Sequence, residues 1–227
     1  SPAASAQTVR FPDVSSNHWA KSYIDALVSQ GVLAGFPDGS FRPDAPVTRA
    51  QFSSMLQAVY AKSPVRGSVN FADVPNNHWA KTSIQNSYRM GFLSGYPGNV
   101  FAPEQNIPRE QVLVSLANGL NYQSSAATND VLSIYSDQGS ISNFARPAIA
   151  AATEKGMVVN YPSLSFLNPG RNATRAEVAA FLYQALRSEG RVSAVNSSYV
   201  ASYNASPRNY RLAAGTSLPV TYARDQI

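Results

Sequence analysis

The feature that most constrains this chain is an internal repeat with a period of 60 residues. The segment FPDVSSNHW at 11–19 returns as FADVPNNHW at 71–79. The matches continue downstream in the same order, Gly31 with Gly91, Phe41 with Phe101 and Arg49 with Arg109. A unit of this size cannot cover its own apolar face, and repeated units bury such faces against one another. The repeat therefore predicts several similar units that share one core.

A third, more diverged copy follows the first two. Tyr135-Ser-Asp137 stands at the Phe-x-Asp start, Phe144 at the tryptophan position, and Thr174-Arg175 at the Thr48-Arg49 position. The loop segment Gly35-Phe-Pro37 corresponds to Asn160-Tyr-Pro162. The chain is thus a threefold repeat, in which the third copy has changed most.

Each copy predicts two helices joined by a turn-rich loop. The first helix is expected to open near Asn17 or Asn77, both good N-cap residues, and to end at a glycine such as Gly31. Trp19, Tyr23 and Leu27 would then share one face of that helix. The loop that follows contains proline, aspartate and glycine, which favour turns.

The second helix is predicted to begin at Thr48, with Gln51 three residues on, and at Thr174, with Glu177 three residues on. This is the spacing of a capping box, in which the two side chains satisfy each other's backbone N–H groups. An apolar stripe then runs along the helix, as in Phe52, Met55 and Leu56. The predicted fold is all-α, with three helix-loop-helix units packed around one core.

The composition of the chain excludes several classes of protein and of site. The 227 residues carry 18 Lys+Arg against 13 Asp+Glu, a formal charge of +5, and no cysteine. Disulfides and thiolate metal sites are excluded, and no run approaches the roughly 20 apolar residues of a membrane span. Residues 187–227 hold five arginines against two acids, so the basic excess lies largely there. Because no Lys/Arg cluster could neutralise successive phosphates, a nucleic-acid partner is not expected.

The two ends of the chain differ from the repeats. Residues 1–10 begin with small and polar side chains, as after removal of a signal peptide, and predict export. Residues 191–227 are rich in Ser, Asn and Tyr, and Leu218, Val220 and Tyr222 alternate around Pro219. We expect an irregular C-terminal tail that serves as a linker or starts a β-rich region of a further domain beyond residue 227.

The ordered motifs resemble the S-layer homology (SLH) domain family. They are FPDV at 11–14 with Trp19, GFPDGSFRP at 35–43 and VTRAQ at 47–51. The resemblance divides the chain into repeats at 11–62, 63–122 and 123–190. It implies a pseudo-threefold, spindle-like helical domain that holds a surface protein to the cell envelope: the cell wall, an S-layer or the periplasmic face of an outer membrane. The implied partner is a peptidoglycan-linked wall polysaccharide whose pyruvylated sugars carry a carboxylate, and no cofactor is expected.

Several positions depart from the family pattern. Gln51 replaces the usual Glu, and repeat two has Pro108 where the threonine cap would stand. Repeat three has Phe144 for tryptophan and a changed loop at 161–165. The third loop is therefore expected to bind least like the family.

Arg49, Arg109 and Arg175 are the leading candidates for ligand binding. They recur in the first turn of the second helix, where the helix dipole disfavours a cation. One interpretation pairs each arginine with a carboxylate or lays its stem over apolar surface. The other makes it a receptor for a ligand carboxylate, together with free N–H groups of the helix terminus. On the second interpretation Arg49 should matter most, with little effect on folding.

Further candidates surround these arginines. Asp13 and Asp73 either cap turns or bind sugar hydroxyls, and Trp19 and Trp79 either pack in the core or stack on a sugar. The remaining candidates are Gly35 and Gly95, for backbone conformation or close ligand approach, and Thr48, which fixes the helix start.

No catalytic or metal site is predicted. His18 and His78 occupy the same repeat position, which favours packing or capping over a shared metal or catalytic site. No nucleophile elbow, phosphate loop or metal motif occurs. The sequence favours a non-catalytic, carbohydrate-binding anchor. The alternative is a structural or protein-protein interaction module that no longer binds glycan.

Overall fold

The computed structural model describes residues 10–204. The predicted export segment falls almost wholly outside the described residues, as does the predicted β-rich stretch at 218–222. Within 10–204 the elements are helices α1 Lys21–Ser29, α2 Arg49–Val59, α3 Lys81–Arg89, α4 Arg109–Gly119, α5 Thr128–Leu132, α6 Arg146–Glu154 and α7 Arg175–Ser188, with a 3₁₀ turn at Gln138–Ser140. The all-α prediction is confirmed for this part of the chain.

The second helices begin where the sequence predicts. Thr48 caps α2 by accepting the N–H of Gln51 at 3.1 Å, and the Gln51 side chain accepts the N–H of Thr48 at 2.9 Å. Thr174 and Glu177 form the same capping box on α7. Pro108 precedes α4 without a side-chain cap, as expected.

The first helices begin later than predicted. α1 starts at Lys21, and no side chain of the Asn17 type caps it. Nδ1 of His18 instead accepts the N–H of Ala20 at 3.1 Å, and His78 does the same for Ala80. The prediction of a helix opening at Asn17 or Asn77 is wrong because an imidazole at the next position satisfies the entering backbone. Trp19 therefore precedes the helix rather than lying on its face.

The helices pack in a cycle. α3 packs on α2, α6 packs on α4, and α1 packs on α7, so each first helix packs against the second helix of another repeat. A single buried cluster links all three repeats, with Phe52, Leu113 and Phe181 among its members. The shared core predicted from the repeat is confirmed.

Three backbone hydrogen bonds close the pseudo-threefold arrangement. The N–H of Val47 donates to the carbonyl of Ala173, that of Ala173 to Ile107, and that of Ile107 to Val47, at 2.9–3.2 Å. These residues directly precede the N-caps of the three second helices. The ring therefore fixes the starts of α2, α4 and α7 relative to one another.

The aspartate that recurs near the start of each repeat has a structural role. Asp13 accepts the backbone N–H groups of Phe41 and Arg42 at 2.9 and 2.7 Å, and Arg42 has a left-handed φ of 56°. Asp73 does the same for Phe101 and Ala102, and Asp137 for Leu167 and Asn168. Each carboxylate thus fixes the end of its own loop.

Residues 191–204 pack against the third repeat. The N–H of Ala201 donates to the carbonyl of Val158 at 2.8 Å, and the N–H of Asn160 donates to the carbonyl of Tyr199 at 2.9 Å. Ala201 is buried. The first part of the predicted linker is therefore joined to the helical body. Across residues 10–204 we find no helix with the length and apolar character needed to cross a bilayer.

Candidate functional site

The three repeat arginines are buried and reach into neighbouring repeats. Arg49 donates from Nε to the carbonyl of Phe101 at 2.8 Å, from Nη2 to the carbonyl of Ser94 at 2.7 Å, and from Nη1 to Oε1 of Gln111 at 3.2 Å. Its guanidinium lies over the rings of Phe101 and Tyr96. Only 3% of Arg49 is exposed. The side chain thus joins repeat one to the loop of repeat two.

Arg109 and Arg175 follow the same pattern. Arg109 donates to the carbonyl of Leu167 at 2.8 Å, and Arg175 donates to the carbonyls of Phe41 and Ala34, both at 2.8 Å. Repeat two is thereby joined to repeat three, and repeat three to repeat one. The arginines form a closed cycle that parallels the hydrogen-bond ring.

These contacts explain why each second helix has an arginine in its first turn, where a cation is unfavourable. The long side chain leaves the helix and places its charge among carbonyl oxygens of another repeat, which offsets the unfavourable dipole. Burial lowers the pKa of Arg49, while Tyr96 and Asp73 oppose that shift. An arginine pKa lies so far above neutrality that the group remains charged. These contacts argue against the expectation that the arginines contribute little to folding, because each one bonds to carbonyls of a neighbouring repeat.

The N–H groups of the helix termini are not free for a ligand. The N–H of Arg49 donates to the carbonyl of Gln105, and that of Ala50 donates to the carbonyl of Pro103, both at 2.9 Å. The starts of α4 and α7 are satisfied in the same way by the loops at 169–171 and 43–45. The expected joint receptor of arginine and helix N–H groups is therefore wrong in its second component.

Between repeats one and two lies an open groove, which we call the Arg49 groove. It has a volume of about 320 Å³ and is lined by Arg49, Ser94–Tyr96, Gln111, Ser115, Asn118 and Phe144. Phe144 is 65% exposed. The hydroxyl of Ser115 is buried and has no hydrogen-bond partner. The groove therefore combines a buried cation, amide groups and an exposed aromatic ring from the third repeat.

The Arg109 groove, at the corresponding position between repeats two and three, is filled by the protein itself. Nη2 of Arg109 donates to Oδ1 of Asn160 at 2.6 Å, and Nη1 lies 3.1 Å from Oε1 of Glu177. Tyr199 contacts the ring of Tyr161 edge-on. Arg109 is only 1% exposed. Burial lowers its pKa, and the charge of Glu177 opposes that shift.

Arg175 lies at the corresponding position between repeats three and one. Arg175 lies over the ring of Phe36, with Arg42 also over that ring at 3.8 Å. Arg42 pairs with Asp38 in an exposed ion pair. No ion pair to Arg175 or to Arg49 occurs within residues 10–204.

The two tryptophans differ in their surroundings. Trp19 is half-buried and stacks on Tyr161 with ring centroids 5.3 Å apart and an interplanar angle of 8°. Trp79 is 63% exposed, so the core position favoured from the sequence is wrong for it. Trp79 is available for stacking on a ligand, whereas Trp19 is already stacked on the side of the Arg109 groove.

The remaining candidates act on the fold. A Cβ at Gly35 would lie 2.3 Å from the ring of Phe11, and one at Gly95 would lie 2.3 Å from the ring of Phe71. These glycines have no left-handed φ, so they serve close aromatic packing rather than an unusual backbone conformation. Asp13 and Asp73 cap their loops and Thr48 caps α2, as described above.

Both histidines cap backbone, which confirms the capping interpretation. Among residues 10–204 there is no cluster of three His, Cys, Asp or Glu side chains suited to a metal ion.

Sequence reasoning missed several residues of the grooves. Gln111 is not among the candidates drawn from the sequence, Glu177 is there only as part of a capping box, and Asn160 only as the counterpart of Gly35. A signal was present, since Phe36, Tyr96 and Tyr161 place an aromatic ring at one loop position in every repeat. That recurrence could have identified the three loops as walls of equivalent grooves.

Comparison with known proteins agrees with the repeat structure. The chain is 31% identical over 183 residues to an amylopullulanase of Thermoanaerobacterium thermosulfurigenes, covering 80% of this chain and 10% of that protein. It is 28% identical over 118 residues to a cellulosome-anchoring protein of Acetivibrio thermocellus, covering 50% and 26% of the two chains. It is 25% identical over 179 residues to a surface-layer 125 kDa protein of Lysinibacillus sphaericus, covering 78% and 15%.

The chain spans only a small part of the length of these relatives. The sequence profile of the S-layer homology domain matches residues 10–53, 70–113 and 134–179, which together make up more than half of the chain. Each matched segment contains the first main helix of one repeat and the beginning of the second. The chain therefore belongs to the S-layer homology domain family and contains three tandem copies of the domain.

Proposed function

We propose that this chain is a non-catalytic cell-envelope anchor that binds an anionic, pyruvylated polysaccharide linked to peptidoglycan. The observation that carries the proposal is the Arg49 guanidinium, which lines an open groove and has no carboxylate partner among the described residues. A buried cation without a counter-charge favours an anionic ligand, because the site has already been desolvated by the fold.

The chemistry of the Arg49 groove suits an acidic sugar. A ligand carboxylate next to the guanidinium would form a charge-assisted hydrogen bond in a site partly shielded from water. The exposed ring of Phe144 and the ring of Tyr96 offer apolar faces to a pyranose. Gln111 and Asn118 supply amide groups that can both donate and accept hydrogen bonds with sugar hydroxyls.

The relatives support a position at the cell surface. Two of them are named as a cellulosome-anchoring protein and a surface-layer protein. The amylopullulanase is similar over only a tenth of its length, so its activity does not transfer to this chain. The proposed role is attachment of a surface protein to the wall, with catalysis left to other domains or proteins.

The alternative is a structural or protein-protein interaction module. The observation that favours it is the internal use of the arginines, since the guanidiniums of Arg49, Arg109 and Arg175 all bond to carbonyls of a neighbouring repeat. Those bonds are accounted for by folding alone. The uncompensated charge and the open groove are not, and they favour the glycan.

Co-sedimentation with purified wall sacculi tests the proposal. We expect the full chain to bind intact sacculi, to bind poorly once the acidic substituent of the wall polymer is removed, and to be lost when the polymer is stripped. Equal binding to all three preparations would contradict the proposal and favour the interaction module.

A matched pair of variants locates the binding. Phe144→Ala removes an exposed ring of the Arg49 groove and should weaken binding about tenfold, the usual order for a lost stacking contact of about 1–1.5 kcal/mol. Phe166→Ala removes an exposed aromatic ring outside that lining and should change little. Both variants should retain the wild-type melting temperature.

A further inference from the structure

The Arg49 groove adjoins a second cavity at the C-terminal end of α4, which we call the Asn118 cavity. This cavity has a volume of about 480 Å³. Asn118 lines both the cavity and the Arg49 groove. A second wall comes from repeat three, where Phe144 lines the groove and Pro147, in the first turn of α6, lines the cavity. The groove and the cavity therefore lie side by side along the same two segments of the chain.

One face of α4 connects the two spaces. Gln111, Ser115 and Asn118 follow one another at intervals of four and three residues, which places them on one side of the helix. At a rise of about 1.5 Å per residue, the distance along α4 from Gln111 to Asn118 is about 10 Å. This is longer than one pyranose ring. A ligand that reaches from Arg49 into the Asn118 cavity is therefore at least a disaccharide.

The lining of the Asn118 cavity is polar and neutral. It contains the side-chain amides of Asn118, Asn121 and Gln123 and the hydroxyl of Thr128, and among residues 10–204 it includes no Asp, Glu, Lys or Arg. In this part of the chain these four side chains make no hydrogen bond to the protein itself. Amides and hydroxyls both donate and accept, as sugar hydroxyls do. The lining therefore suits a neutral sugar and offers nothing to a second anion.

Folding does not account for the amide of Asn118. The same position of the second helix is Ala58 in α2 and Gln184 in α7. Gln184 is buried and donates to the carbonyl of Gly156 at 2.7 Å, so its amide serves the packing of repeat three. Ala58 has no polar side chain, and α2 forms without one. The repeat fold therefore requires no exposed amide at this position.

We propose that the Asn118 cavity is a subsite for a neutral sugar that is joined to the acidic sugar in the Arg49 groove. The inference rests on the proposed function for the acidic sugar and adds the class of its neighbour. Arg49 then recognises the charge, and the amides of Asn118 and Gln123 recognise the hydroxyls of the next unit. The ligand of this face is at least a disaccharide with one acidic and one neutral unit.

Three probes separate the two contributions in isothermal titrations of the full chain. The first is a methyl glycoside bearing a 4,6-O-pyruvate ketal, and the second extends it by one neutral pyranose. The ketal blocks O4 and O6, so the extension is made through the anomeric oxygen. The third is the same disaccharide without the ketal. We expect the acidic disaccharide to bind about tenfold more tightly than the acidic monosaccharide, the usual order for one or two added hydrogen bonds, and the neutral disaccharide to bind most weakly.

A matched pair of glutamine variants locates the added affinity. Gln123 is exposed and lines the Asn118 cavity but not the Arg49 groove. Gln123→Ala should weaken binding of the acidic disaccharide about three- to tenfold and leave the monosaccharide unchanged. Gln30→Ala removes an exposed glutamine outside both linings and should change neither affinity. Both variants should keep the wild-type melting temperature.

The outcomes separate this inference from the proposed function. If the acidic monosaccharide binds but the acidic disaccharide binds no better, or if Gln123→Ala keeps the full gain, the neutral subsite is wrong and the proposed function stands. If the ketal makes no difference while Gln123→Ala still weakens the disaccharide, the acidic ligand is wrong and the neutral subsite stands. Binding of none of the three probes overturns both.

Discussion

The Arg49 and Arg109 grooves have the same backbone contacts to their arginine and differ in the side chain that lies beside its charge. Both guanidiniums donate to carbonyls of the following repeat at 2.8 Å. In the Arg49 groove the neutral amide of Gln111 also contacts the guanidinium, and in the Arg109 groove the carboxylate of Glu177 lies in its place. The comparison shows that each of these arginines is buried and bonds to a neighbouring repeat, whereas only Arg109 has a carboxylate beside it.

Removing each arginine in turn should give the largest effects. Arg109→Ala should destabilise the fold by about 3–5 kcal/mol, because the buried Glu177 would keep only the half-exposed Arg171 as a cationic partner. Arg49→Ala should cost about 2–3 kcal/mol, since it leaves two carbonyls without a donor but no buried charge. Urea unfolding measures both values.

A double variant checks the reason for that difference. Arg109→Ala should cost less in the Glu177→Gln background than in the wild type. The exposed Arg42→Ala serves as the control and should stay within about 0.5 kcal/mol. Equal losses for Arg49→Ala and Arg109→Ala would remove the distinction between the two grooves.

The next largest effect on stability is expected from a substitution in the loop that lines the Arg49 groove. Gly95→Ala would place a Cβ 2.3 Å from the ring of Phe71 and 2.9 Å from the carbonyl of Val100, so the loop beside Arg49 must shift. Overpacking of this kind costs about 1–3 kcal/mol. Gly67→Ala is the control, because nothing lies within 4 Å of a Cβ there. A Gly95→Ala protein with wild-type stability would show that the loop is softer than the contacts indicate.

The smallest effect is expected at Asp13, which holds the loop that Arg175 contacts. Burial alone would raise its pKa, but the N–H groups of Phe41 and Arg42 hold it below the ordinary value of 3.8. Because the folded pKa is the lower one, the stabilisation is complete above pH 3.8 and is lost as the pH falls through the folded value. Asp13→Asn should cost about 1 kcal/mol at neutral pH.

The pH dependence of that cost identifies its source. The gap in melting temperature between wild type and Asp13→Asn should close in acid, while Asp44→Asn, at an exposed position, should show no gap at any pH. A gap that persists below the folded pKa would mean that the charge of Asp13 is not what holds the loop.

The sequence predicted those features that depend on local patterns. The capping boxes at Thr48 and Thr174 and the shared core could be predicted because spacing along the chain determines them. The start of α1 could not, since it depends on the imidazole of His18, which accepts the N–H of Ala20. The exposure of Trp79 could not be predicted either, because Trp79 precedes α3 and does not lie on the helical face assigned to it.

The arginine contacts lay beyond sequence reasoning for a different reason. Arg175 bonds to carbonyls of residues 134 and 141 positions away, and backbone carbonyls leave no trace in residue identity. The contact of Glu177 with Arg109 could not be predicted either, since the capping box with Thr174 already accounted for the glutamate. The sequence did show that a cation in the first turn of a helix is unfavourable and needs an explanation. The packing of the repeats provides that explanation.

Binding of an acidic sugar in the Arg49 groove tests the central claim most directly. Isothermal titration of the wild-type chain with a methyl glycoside bearing a 4,6-O-pyruvate ketal should detect binding, which Phe144→Ala in the Arg49 groove should weaken about tenfold and Phe166→Ala should leave unchanged. No binding by the wild type, or equal binding by the two variants, would contradict the account.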